Sequence, residues 1–130
     1  MGRIGSATAL RAKAFGMRVV IYDPYLPRGQ EIAVGVERVE SLEELCRQVN
    51  ILSIHTPLTE ETKGIINEKL LRLLPKDSIL INTARGPILD LDGVYNVLKD
   101  GYLRAAAIDV FPTEPPDPMP RLLQPLQNKE

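Results

Sequence analysis

Four short runs, apolar at nearly every position, limit what this chain can fold into: RVVIY at Arg18–Tyr22, ILSIHT at Ile51–Thr56, SILIN at Ser78–Asn82 and AAAIDVF at Ala105–Phe111. A strand with one face in water alternates apolar and polar residues, whereas a strand covered on both faces stays apolar throughout. Helix signals stand between the runs. Ser41 is placed to cap a helix with Glu44 three residues on, Asn67 to cap NEKLLRLL before Pro75, and Asp90 to cap LDGVYNVLKD, which stops at Gly101. With the Ala-rich segment SATALRAKAF in front, helix and strand alternate four times, the order expected of an α/β chain with a parallel sheet covered on both faces.

Composition agrees with one globular domain, since 44% of the 130 residues are hydrophobic and 25% charged. The net charge is −1 and its acidic and basic residues are interspersed, so no footprint for nucleic acid or an anionic membrane exists. No apolar run approaches the roughly 20 residues that cross a bilayer, and MGRIGSATAL lacks the apolar core of a signal peptide; a cytoplasmic protein is expected. Cys46 is the single cysteine, which excludes an internal disulfide and reads as a small buried side chain on a helix. No metal site is expected.

Chemistry concentrates in four places. Gly2 and Gly5, at the start of the Ala-rich helix, match the second and third glycines of G-x-G-x-x-G. Gly2 would let backbone approach a pyrophosphate and Gly5 would let the helix pack closely on the sheet, while the helix N-terminus offers N–H groups to the anion. An ordinary helix start, with Gly16 as the C-terminal stop, fits two glycines equally well. Asp23 closes the first apolar run about 20 residues after the turn, where a carboxylate accepts from both ribose hydroxyls and disfavours a 2′-phosphate. Strand, spacing and residue type favour this reading over a plain Asp-Pro turn.

The ends of the next runs, HTPLT at His55–Thr59 and NTARG at Asn82–Gly86, fall where ligands gather in open parallel sheets. Arg85 can grip a carboxylate in two prongs. His55 is the only histidine, and a strand-end imidazole of this kind is more often structural than catalytic. Asp109 ends a run expected to be buried, where an unpaired charge is costly unless it contacts ligand or caps backbone. Glu114 follows in PTEP, where a solvated loop carboxylate is as good a reading as a catalytic one.

The chain begins at the glycine turn, so the strand that opens a doubly wound sheet is expected to be missing, and in that order it lies mid-sheet. Its loss would leave unpaired strand edges. From Pro112 onward PTEPPDPMP and RLLQPLQNKE have no periodicity and read as loop and tail.

Taken together, GRIG, YDPY, HTPLTEET, NTARGP and AAAIDVFPTEPP, in this order and spacing, resemble the NAD-binding domain of the D-isomer-specific 2-hydroxyacid dehydrogenases. RAKAFG and YDPY look most like the C-terminal-binding-protein branch, and IDVFPTEP is also similar to phosphoglycerate dehydrogenases. The resemblance implies a Rossmann-type doubly wound sheet, incomplete at its first strand, over residues 1–114, with 115–130 as loop and tail and the substrate-binding domain absent. It implies NAD as cofactor, with Arg3 and Ile4 holding the pyrophosphate through backbone, Asp23 the adenosine ribose, Thr56, Thr83 and Ala84 the nicotinamide side, and Asp109 the carboxamide. Arg85 becomes the substrate-binding catalytic arginine and Glu114 the acid that tunes a catalytic histidine, which itself lies outside this sequence. The implied partners are a 2-hydroxy or 2-oxo acid and a second copy in a homodimer. Two rival readings accompany it: a NAD-sensing corepressor-like interaction protein, and an inactive truncated fragment. A fragment lacking its central strand is expected to fold weakly and bind NAD poorly.

Overall fold

Burial is deepest on one face of the central strands, where Leu52, Ile54, Leu80 and Asn82 have almost no exposed surface; Ile51 on the other face is exposed and Ser53, Ile79 and Ile81 are half-buried, so the expected cover on both faces is incomplete. The computed structural model describes residues 1–116 and 120–124. Its elements are α1 (Arg3–Ala14), β1 (Val20–Ile21), α2 (Gln30–Val34), β2 (Glu37–Arg38), α3 (Leu42–Arg47), β3 (Ile51–Ile54), α4 (Glu68–Leu71), β4 (Ile79–Asn82), a 3₁₀ turn (Gly86–Ile88), α5 (Leu91–Lys99) and β5 (Ala105–Ile108).

All strand pairing among the described residues is parallel, in two sheets ordered β1-β2 and β3-β4-β5. Val19 and Ile21 accept from the Glu37 and Val39 N–H groups, so the polar backbone of Val20 and Tyr22 faces away from β2. No strand pairing joins β1 to β3 among the described residues. Three residues of the lesser core, Ala9, Ile21 and Val36, hold α1 to the first pair. The main core, centred on Leu71, Leu74, Leu80, Ile88, Val94 and Val97, holds α3, α4 and α5 to the second sheet.

Local sequence explains the helix ends. The Ser41 hydroxyl accepts from the Glu44 N–H at 3.1 Å, and the Asn67 side chain from the Leu70 N–H at 3.0 Å. Helix α1 closes at Gly16 with φ +77, where Gly16 N–H reaches Lys13 C=O and Met17 N–H reaches Ala12 C=O. Asp90 stands at the N-cap of α5 but makes no side-chain cap bond. Close approach to α4 governs that end instead: a Cβ on Gly93 would lie 2.6 Å from the Glu68 nitrogen.

Three expectations need correction. The chain carries one helix–strand pair more than the four expected, α2–β2, because β2 is two polar residues and carries no apolar run. The apolar runs overstate strand length, by three residues at both β1, which keeps only Val20–Ile21, and β5, which ends at Ile108 rather than Phe111. And β5 is an edge strand, with Ala105 and Ala107 exposed, so Asp109 is exposed too; the cost of burying its charge does not arise. Of the expected tail, residues 120–124 form a turn docked on α5, where the Arg121 guanidinium lies 4.6 Å from the Tyr95 ring centre and Leu122 joins the main core. Residues 117–119 and 125–130 lie outside the described part.

Candidate active site

Parallel pairing brings the carboxyl ends of β3, β4 and β5 to one side, since Ile54, Asn82 and Ile108 stand in register. Helix α1 ties the end of β1 to the same side. The Met1 terminal ammonium contacts the Asp23 carboxylate, and Gly5 lies against His55, a Cβ on Gly5 falling 3.3 Å from the His55 Cβ. Asp23, the α1 N-terminus, the β3 end and the Arg85 turn therefore form one continuous rim, not opposite edges.

At the head of α1, Gly2 occupies the N-cap with extended backbone, no side chain caps the helix and no acid sits in its first turn. A Cβ on Gly2 would meet nothing within 4 Å. Free N–H groups with open space in front of them suit an anion. Arg3 and Ile4 are exposed beside this opening. The Asp23 side chain is about four-fifths buried and also accepts from the Tyr25 N–H at 3.0 Å, so the carboxylate is oriented by its own turn.

His55 faces inward beneath Gly5, with Nε2 2.9 Å from the Ser53 hydroxyl. Burial, and then the nearby terminal ammonium, hold its pKa below the usual histidine value, so the ring is neutral at pH 7. Thr56 follows it, half-buried, at the strand end.

Asn82 ends β4 with its side chain fully buried, and the turn beyond carries Thr83, Ala84 and Arg85. Thr83 and Asp109 line a shallow depression of about 320 Å³ with Ala107 and Ile108. Beside it lies a cleft of about 420 Å³, in which Arg85 and Glu114 share walls formed by Leu58, Pro87, Phe111 and Pro112. Arg85 is exposed and donates only to the adjacent Ala84 C=O among its described bonds, at 2.6 Å. A guanidinium so placed is free to meet an incoming carboxylate. Glu114 accepts from the Phe111 N–H at 3.0 Å. Sequence reasoning assigned no role to Asn82, Gly86 or Leu58, although a polar residue closing the apolar run SILI was a visible sign of work at that position.

Comparison with known proteins gives the family. The profile of the D-isomer specific 2-hydroxyacid dehydrogenase family, NAD binding domain, matches residues 1–128. The chain belongs to that family. It is 44% identical over 122 residues to D-3-phosphoglycerate dehydrogenase of Methanocaldococcus jannaschii, covering 94% of this chain and 23% of the relative. It is 48% identical over 118 residues to glyoxylate reductase of Aeropyrum pernix, covering 91% and 35%. Among solved structures it is similar to the holo form of Rhodotorula graminis D-mandelate dehydrogenase, with TM-score 0.85, 35% identity and 94% and 35% coverage. It is also similar to Aquifex aeolicus D-lactate dehydrogenase complexed with NAD and lactic acid, with TM-score 0.81, 39% identity and 87% and 33% coverage. As a family member, the chain spans about a quarter to a third of the relatives it matches, and its fold is the Rossmann-type NAD-binding domain they share. Among the described residues no group of three or more His, Cys, Asp or Glu is gathered to hold a metal, and no helix is long and apolar enough to cross a membrane.

Proposed function

We propose that this chain serves as the NAD-binding half of an oxidoreductase that interconverts a D-2-hydroxy acid and its 2-oxo acid. One observation carries the reading: Arg85 and Glu114 share a cleft on the rim that runs back to Asp23 and the uncapped start of α1. The residues fit a dinucleotide. Backbone N–H groups at Gly2, Arg3, Ile4 and Gly5 would hold the pyrophosphate, and Asp23 would accept from the adenosine ribose. Thr56, Thr83 and Ala84 would border the nicotinamide, and Asp109 would accept from its carboxamide. When bound, the nicotinamide supplies or takes the hydride.

Arg85 clamps the carboxylate of the acid and orients C2, and its charge favours the oxyanion side of the carbonyl. Glu114 stabilises the protonated form of the histidine that moves the proton, a residue supplied by the remainder of the enzyme. Partners follow as a small 2-hydroxy or 2-oxo acid and a second copy in a cytoplasmic homodimer.

The test is turnover of NADH with glyoxylate, pyruvate and hydroxypyruvate by the polypeptide that carries this domain together with a substrate-binding domain. Arg85→Ala is expected to lower kcat/KM about 100-fold or more. Absence of turnover across the panel overturns the assignment.

A further inference from the structure

Arg85 and Glu114 are borne by different segments, and no bond between the two side chains sets their spacing. Backbone sets it, through two close contacts. Asn82 has no exposed surface, a state that a primary amide tolerates only when its polar atoms are bonded. Its side-chain oxygen accepts from the Ala84 N–H at 3.0 Å, and its side-chain nitrogen donates to the Arg85 C=O at 3.0 Å. Its own backbone C=O accepts from the Asp109 N–H at 3.0 Å. One residue thus fastens both the Arg85 turn and the exit of β5.

Gly86 makes the second contact. It is buried, and a Cβ there would overlap the carbonyl carbon and oxygen of Phe111 and the nitrogen of Pro112. These are backbone atoms, which cannot swing aside as a side chain can. The same Phe111 residue donates its N–H to the Glu114 carboxylate. The peptide segment that only a glycine admits is therefore the one that orients Glu114.

We propose that Asn82 and Gly86 are positioning residues, a paired latch that clamps the Arg85 turn to the Phe111–Glu114 segment and so sets the arginine and the carboxylate at one working distance. The proposal rests on the reading of Arg85 and Glu114 as the catalytic pair, and the test separates the two.

The first arm uses this chain, labelled with ¹⁵N. In the parent sequence the Phe111 amide shift should follow titration of the Glu114 carboxylate, and Glu114→Gln should abolish that response. Gly86→Ala and Asn82→Leu should each abolish it while the amides of β3 and α4 keep their shifts, which a general loss of structure would not allow. The Asn82→Leu variant removes both side-chain bonds at similar volume and should also move the Asp109 amide away from its parent shift. That arm stands if Gly86→Ala fails to fold.

In the second arm, each variant in the two-domain polypeptide should lose at least 10-fold in kcat with KM for the 2-oxo acid changing less. Survival of the Phe111 response in both variants overturns the latch. Unchanged kcat in both does so too, provided Arg85→Ala and Glu114→Gln abolish turnover. Should those two leave turnover intact, the catalytic reading fails, and the latch is then judged on the Phe111 amide alone.

Discussion

Burial pushes the Cys46 thiol up to about 11, because a thiolate in the apolar face of α3 loses its hydration and Glu43 nearby opposes a second negative charge. Only about one molecule in a thousand carries the thiolate at pH 8 on that scale. The folded chain is therefore expected to react with a thiol-directed disulfide reagent far more slowly than the urea-unfolded chain; equal rates would show that Cys46 is not held in the core. His55 illustrates the converse sign. Its folded pKa lies below the unfolded value, so the unfolded chain binds a proton first as the pH falls. The contribution is fully present above the unfolded pKa of about 6.5 and is lost as the pH drops through the folded one. Urea titrations from pH 7.5 to 5 should show the parent losing more stability than His55→Gln over this window, before surface carboxylates titrate.

Leu71 at the end of α4 and Arg72, its C-cap, separate packing from charge. Leu71 has no exposed surface and sits in the main core, so Leu71→Ala should cost about 2–5 kcal/mol. Arg72 binds Glu68 and Asp100 and lies over the Tyr102 ring, yet it stands in water on the outer face, where screening and side-chain entropy offset most of the attraction. Arg72→Ala should shift the urea midpoint by only a small fraction of the Leu71→Ala shift; comparable shifts would mean that the network is part of the core. Ser41→Ala, removing a formed cap, should cost about 1 kcal/mol. What could be read from the sequence at this scale follows the same division. Apolar runs marked β3 and β4, and Ser41, Asn67, Gly16 and Gly101 marked helix ends, because those signals are local. The pair α2–β2 was invisible because five residues between Gly29 and Gly35, then Glu37–Arg38, owe their form to Arg18, Val19 and Ile21 rather than to any pattern of their own. The order of site residues along the rim was legible from strand-end positions. The latch was not, since nothing in PTEP announces that Phe111 crosses over Gly86.

Stability across the whole molecule should be uneven in a way the two sheets dictate. The β3-β4-β5 sheet is backed by α4 and α5 and by a broad apolar cluster that Val20 and Tyr22 also touch, whereas α1 and β2 rest mainly on Ala9, Ile21 and Val36 with a few half-buried neighbours. Apolar burial supplies most of the free energy of folding, so the smaller part should open far more readily than the larger. Hydrogen exchange should accordingly find the amides of Ile79–Asn82 slowest, and those of α1, Val20 and Ile21 faster by orders of magnitude. The two ends of the proposed dinucleotide site fall on opposite sides of this divide, with Asp23 and the α1 start on the weak part and Thr83, Arg85 and Asp109 on the strong one. A ligand that touches both must order the weak part as it binds, and that cost lowers its apparent affinity. Added NADH should therefore slow exchange at Ile21 and along α1 selectively, with weak affinity in this chain, and Asp23→Ala should remove the protection while leaving β4 unchanged. Uniform exchange across both sheets before NADH is added would show instead that the interruption between β1 and β3 does not divide the molecule energetically.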